Sequence, residues 1–185
     1  RRWSDWTRQV REESIQALSS LPGVEVVAPV VAPPEAVPDP ATGGTAYGAV
    51  HTLDEAEAVA DYFTRERVDG VVLCPLDFGD ERSAVKIAEK LGVPVLLYAT
   101  KEPPALDGPG MLRASDSYCG NLSMAAGLQR RRIVFRFGGI FFPDEPGLQA
   151  ELEAFSQAVA VVKGLRNARI GHVGVRPQTF ETVAY

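Results

Sequence analysis

The sequence predicts an α/β protein built on a doubly wound, mainly parallel sheet. Three observations carry this. Short apolar runs such as Val71–Cys74 and Val93–Ala99 alternate with longer stretches of helical periodicity. Those runs are apolar on both faces, as strands covered by helices on each side must be. Each pair of successive strands is joined through a helix, which is the connection of a parallel sheet.

Taken in order, residues 3–21 read as a helix with Trp3, Trp6, Val10, Ala17, Leu18 and Leu21 mostly on one face. Leu21-Pro22-Gly23 stops it, and Val24, Val26 and Val27 begin a strand that continues to about Ala28. Residues 29–51 hold five prolines and Gly43-Gly44, a long loop that is either functional or a surface excursion. Thr52-Leu-Asp-Glu55 has the form of a capping box. It opens a helix with Leu53, Ala56, Ala60 and Phe63 on one stripe, and Asp69-Gly70 then turns the chain into Val71–Cys74. Asp80 is placed to cap a helix carrying Ala84, Ile87, Ala88 and Leu91, and Gly92 ends it. The Val93–Ala99 strand comes next, and then a loop to Ser115.

The helix after Asp116 is crowded with small residues: Gly120, Ser123, Ala125, Ala126 and Gly127. Such a helix can lie close to its neighbours. Three arginines close it, where cations suit the negative end of the helix dipole. Ile133–Phe137 reads as a strand that leaves through Gly138-Gly139 and an apolar loop. Asp144 is a good cap for the last long helix, on which Leu148, Leu152, Phe155, Val159 and Val162 repeat at 4 and 3 spacing. Ala168–Val173 reads as the final strand. The whole, residues 1–185, is expected to be a single α/β domain. Doubly wound domains ordinarily begin with a strand, whereas this chain begins with a helix and without an initiator Met. It is therefore expected to be the amino-terminal part of a longer multidomain protein, with the first strand of the sheet lying before Arg1.

Composition sets further bounds. Hydrophobic residues make up 45% and charged residues 23%, the ordinary range for a globular protein. The net charge of −5 argues against non-specific binding to nucleic acid or anionic membranes. No apolar run approaches the roughly 18–20 residues of a membrane span, and no signal peptide is evident, so the cytoplasm is expected. Cys74 and Cys119 do not make a disulfide framework and read as packed thiols. His51 and His172 lie in different segments without the spacing of a metal motif, and His172 reads as a core histidine.

Ligands of such sheets bind beyond the carboxyl ends of the strands. That selects five loops, 29–51, 75–80, 100–116, 138–144 and 174–180, and within them Tyr47, Asp77, Phe78, Thr100, Lys101, Asp116, Ser117, Arg176 and Gln178. Asp77 could hold a sugar hydroxyl or a cation, or cap the following helix. Asp116 and Ser117 could meet a substrate or cap their own helix. No catalytic triad, Walker loop, dinucleotide fingerprint or paired-cysteine zinc site appears. The reacting groups, if this is part of an enzyme, are expected elsewhere.

Three segments carry a likeness: Val68-Asp-Gly-Val-Val72, Asp116-Ser-Tyr-Cys-Gly120 with Leu122 and Ser123, and Ala168-Arg-Ile-Gly-His-Val-Gly174 with Arg176-Pro177. With them the chain resembles the amino-terminal part of the L-fucose/L-arabinose isomerase superfamily, in its fucose isomerase-like branch. The resemblance implies a flavodoxin-like or Rossmann-like sheet and a homo-oligomer, hexameric in some relatives. It also implies a parent enzyme that interconverts aldoses and ketoses with Mn2+ or a similar divalent metal. The metal ligands and acid/base carboxylates would lie beyond Tyr185, so this chain alone would bind no metal and be inactive. Its part would be to shape a sugar pocket and an oligomer contact beside the remaining domains of the parent protein. The resemblance carries substrate contacts onto Arg1 or Arg2 and onto Phe78, and makes the Gly138-Gly139-Ile140 turn a pocket-facing segment. The substrate-binding set is thus Arg2, Asp77, Phe78, Gly139 and Ile140.

Three other readings compete. The first is a non-catalytic flavodoxin-like module that binds a sugar or nucleotide. The second is a receiver domain with Asp77 as phosphoacceptor. The third is an interface-forming piece that exposes Phe141-Phe142.

Overall fold

The computed structural model describes residues 5–102, 115–171 and 173–174. The elements run α1 (Asp5–Ser19), β1 (Val31–Ala32), β2 (Thr45–Ala46), α2 (Leu53–Arg65), β3 (Val71–Leu73) and α3 (Glu81–Leu91). They continue with β4 (Val95–Thr100), α4 (Ser117–Arg130), β5 (Phe135–Phe141) and α5 (Pro146–Arg166). Strands β3, β4 and β5 lie side by side in that order, all parallel. The architecture is therefore the mainly parallel α/β arrangement that the apolar runs predict.

Strand β4 is the spine. All six of its residues are buried, and their alternation divides the core in two. Val95 and Leu97 pack into a cluster with Ala56, Val59 and Phe63 of α2, Ala84 and Ile87 of α3, and Leu128 of α4. Leu96 and Tyr98 point the other way, into a cluster with Leu148 and Leu152 of α5 and Ala17 and Leu18 of α1. Helices α2, α3 and α4 thus cover one face, and α1 and α5 the other.

Local signals set the helix ends. The Thr52 hydroxyl accepts from the Glu55 amide at 3.2 Å, and the Glu55 carboxylate accepts from the Thr52 amide at 2.9 Å, completing the capping box. Asp80 accepts from the Arg82 amide at 2.9 Å and caps α3. Gly92 takes a left-handed φ of 60° at the end of α3, a conformation that costs glycine nothing.

Several sequence expectations are corrected. Val24–Ala28 forms no strand and joins no ladder among the described residues. Within the long loop 29–51 lie β1 and β2, a two-residue parallel pair in which Val31 faces Thr45, which the sequence reading did not anticipate. Strand β5 does not stop before Gly138-Gly139 but runs through them to Phe141. The glycines sit in a bulge there, because Leu97 pairs Phe137 while Ala99 pairs Ile140, three residues of β5 against two of β4. Gly139 has φ +96°, and a Cβ on it would lie 2.6 Å from the Phe141 ring. The ring of Phe141 fills the space that Gly139 and Gly147 leave, while Gly138 meets Leu96.

Helix α5 is capped at Glu145 and not at Asp144, with Pro146 at its start. Asp116 stands at the head of α4 with φ 60° but makes no side-chain cap. The expected strand over Ala168–Val173 does not form among its described residues. Ile170 and Val173 are fully exposed, and β-branched character without a neighbouring edge does not make a strand.

Candidate substrate site at the carboxyl edge of the sheet

Strands β3 and β4 end at Leu73 and Thr100, and the loops beyond them are tied together by a compact polar network. Ser117, fully buried at the start of α4, accepts from the Thr100 amide at 2.9 Å and donates to the Pro75 carbonyl at 2.5 Å. One hydroxyl therefore joins the exit of β4, the exit of β3 and the head of α4. Glu102 secures the same corner. Its carboxylate accepts from the Asp116 amide at 2.7 Å and from the Ser115 amide and hydroxyl at 3.2 and 3.1 Å. The Ser115 hydroxyl, and not the Asp116 carboxylate, accepts from the Ser117 amide at the head of α4, at 3.3 Å. Lys101, between Thr100 and Glu102, pairs with Glu145 at the start of α5. The ammonium lowers the Glu145 pKa, chiefly through its hydrogen bond.

The loop Pro75–Gly79 rides on α4. A Cβ at Gly120 would stand 2.6 Å from the Asp77 carbonyl oxygen, 2.7 Å from that of Phe78 and 3.0 Å from Pro75 Cβ. This is the close approach that the small-residue helix predicts. It presents Phe78 outward, 44% exposed. Asp77 lies on the other side of the loop, at the carboxyl end of a cleft of 1060 Å3 between residues 24–29 and β3. Further round the edge, Trp6 of α1 stacks edge-on to Phe142 with centroids 6.1 Å apart, and Lys101 Nζ stands 5.6 Å from that ring. Buried there without a partner among the described residues are Trp6 Nε1 and Thr100 Oγ1.

The predicted site residues are only partly brought together. Asp77 and Phe78 share one loop at the carboxyl edge. Gly139 and Ile140 lie inside β5, with Ile140 paired to Ala99, so they form strand and not the turn expected of them. Arg1, Arg2, His172, Arg176 and Gln178 fall outside the described residues. Glu102 and Glu145 were not among the candidate site residues, and Trp6 was read only as part of the apolar face of its helix. The signal that could have raised Glu102 is a lone acid just past a buried strand end.

Cys74 opens on the cleft but sits deep among protein atoms, and burial pushes its thiol up to about 12, with the Tyr98 hydroxyl beside it acting the other way. That hydroxyl in turn donates to Ser14 Oγ of α1 at 2.5 Å. Against the ordinary value of 9.0, the thiolate fraction at pH 8 is about 1,000-fold lower. In a Cys119→Ser background, iodoacetamide is expected to modify Cys74 that much more slowly in the folded chain than in urea. Equal rates would overturn the assignment. Since the folded pKa is the higher one, the buried thiol's contribution to stability is complete below pH 9 and is lost as pH rises from there through about 12.

The described residues make an α/β domain whose candidate site lies at the carboxyl edge of its parallel sheet. Comparison with known proteins gives the family. The family described as "Fucose/sulfoquinovose isomerase, N-terminal domain" matches residues 37–166, and the chain belongs to it. Curated sulfoquinovose isomerases from Priestia aryabhattai and Priestia megaterium are each 30% identical to it over 132 residues. The match takes in 71% of this chain and 28% of each relative, so the chain spans well under a third of their length. No solved structure matches. Among the described residues no helix is long and apolar enough to cross a membrane.

Proposed function

We propose that this chain is the substrate-pocket domain of an aldose–ketose isomerase, acting on a sugar of the fucose or sulfoquinovose type. The observation that carries the reading is the Pro75–Gly79 loop, held rigidly at the carboxyl edge with Phe78 outward and Asp77 at the mouth of a cleft. An aromatic ring can cover the apolar face of a sugar, and a carboxylate can accept from its hydroxyls. Family membership supports the reaction class.

Moving hydrogen between C1 and C2 requires an acid/base group and, in metal-dependent isomerases, a divalent ion on two sugar oxygens. Among the described residues no three His, Cys, Asp or Glu side chains stand close enough to hold a metal. The described part of this chain does not fit Mn2+, and no step is assigned to the ion. The residues of this chain position hydroxyls and exclude water; the reacting groups belong to other domains of the parent protein. Arg2 remains a proposed contact of the same pocket, and contact with further copies of the chain, in a cytoplasmic homo-oligomer, a proposed role of the domain.

The test is an isomerisation assay on the full-length protein and on these 185 residues, across aldoses that include fucose and sulfoquinovose, with and without added Mn2+. Metal-dependent turnover by the full-length protein alone is expected. Phe78→Ala and Asp77→Asn in that protein should raise KM about tenfold or more with a smaller effect on kcat. Turnover by the 185 residues alone, or unchanged KM in both variants, would overturn the reading.

A further inference from the structure

Two buried polar groups at the carboxyl edge stand without partners among the described residues, and both lie on the face that α1 and α5 cover. Thr100 is the last residue of β4 and only 3% exposed, and its Oγ1 meets no donor or acceptor. Alternation along the strand sets its direction. Leu96 and Tyr98 point toward α1 and α5, so Thr100, two residues beyond Tyr98, points the same way. Tyr98 donates to Ser14 in the middle of α1. Nearer the edge, the same helix sets Trp6 against Phe142, the residue after Phe141, which is the ladder partner of Thr100. Trp6 Nε1 is buried there and is likewise unpartnered.

Such orphans are rare in folded proteins, because each gives up hydrogen bonds to water and regains nothing. The Thr100 amide is already satisfied by Ser117, so the cost falls on the hydroxyl alone. The two groups suit a single oxygen. An indole N–H only donates, whereas a threonine hydroxyl both donates and accepts. A hydroxyl placed between them accepts from Trp6 and exchanges a bond with Thr100. Lys101 is paired with Glu145, so the corner offers no net charge to an anion. The rings of Trp6 and Phe142 supply apolar surface for C–H groups beside that oxygen.

We propose that Thr100 and Trp6 form a further hydroxyl-binding subsite, in which the threonine hydroxyl and the indole N–H together hold one uncharged hydroxyl of the sugar. The proposal rests on the sugar reading above and extends it from the exit of β3 to the exit of β4. Side chains cover this corner: the Phe142 ring lies against Trp6, Lys101 Nζ stands 5.6 Å from the centre of that ring, and Glu145 holds Lys101. The Lys101 and Glu145 side chains are 43% and 29% exposed. The sugar therefore enters by their rotation, and the sheet stays closed. A bound water is the rival occupant, and it could bridge the same two groups.

The test uses the full-length protein with fucose and with sulfoquinovose. Thr100→Val keeps the shape of the side chain and removes its hydroxyl. It should leave stability in urea unchanged or raised, since an unpartnered buried group is lost. It should also raise KM about tenfold with little change in kcat, and Trp6→Phe should do the same. In protein labelled with 15N-tryptophan, the Trp6 indole N–H resonance, assigned by its loss in Trp6→Phe, should shift as sugar is added. An indole resonance that stays fixed at saturating sugar, or an unchanged KM in Thr100→Val, overturns the subsite. If Phe78→Ala and Asp77→Asn still raise KM in that protein, the proposed function stands without it. A marked loss of stability in Thr100→Val means that water fills the place, and this too overturns the subsite. If neither sugar binds, the sugar-pocket reading itself fails and the subsite falls with it.

Discussion

Leu97→Ala is expected to cost about 2–5 kcal/mol of unfolding free energy, the largest effect of any single side-chain truncation in the sheet. Leu97 is completely buried in the central strand, where it joins α2, α3 and α4 into one core. Removing its isobutyl group leaves a void that the flanking helices cannot close without breaking their own contacts. A domain of this size holds about 5–15 kcal/mol in total, so the variant would have lost a large fraction of it. Urea unfolding followed by circular dichroism measures the change. Leu97→Met, which nearly conserves volume, should cost less than about 1.5 kcal/mol. A loss below about 1 kcal/mol for the alanine variant would mean that the layer on that side is loosely packed.

Gly120→Ala is the sharper probe of the site. Alanine is the better helix former by about 1 kcal/mol, so an unobstructed position would be stabilised. Here the new methyl meets the backbone oxygens of Asp77 and Phe78 at 2.6 and 2.7 Å, and neither is the free end of a side chain. Either α4 or the loop must move, at about 1–3 kcal/mol, and strain outweighs propensity. Gly164→Ala in α5 is the control, because nothing lies within 4 Å of its Cβ position; it should gain up to about 1 kcal/mol. In the full-length protein Gly120→Ala should also weaken sugar capture about tenfold, since an ångström of misplacement at a binding loop is costly. Opposite signs for the two glycines in urea unfolding are the decisive result. Stabilisation by both would show that the loop is not held against α4.

Features written in a few neighbouring residues were legible from the sequence. The Thr52–Glu55 capping box, the Asp80 cap, the Gly92 terminus and the apolar β3 and β4 runs all depend on short-range chemistry. So does the closeness of α4 to its surroundings, which its glycines and alanines announce. What could not be read was set by distant partners. Gly138-Gly139 looks like a strand end, but pairing with β4 and the Phe141 ring carry the strand through as a bulge. Asp116 looks like a cap, but the carboxylate that holds its amide comes from Glu102, on the far side of a loop. Val24–Ala28 has a strand's composition without a strand's neighbour among the described residues. Asp77 and Phe78 were singled out because the loop after a central strand is where ligands of these folds bind. The rule cannot say which residues fasten that loop.

That fastening governs how the edge can move. Ser117 accepts from one strand exit and donates to the other, so neither loop can shift without disturbing the hydrogen bond of its neighbour. Breathing motions of the two strand ends and of the first turn of α4 are thereby synchronised: they open together or stay shut. The Thr100 amide becomes an internal clock for that event, because its exchange with solvent waits on the release of the Ser117 hydroxyl and counts the openings of the whole corner.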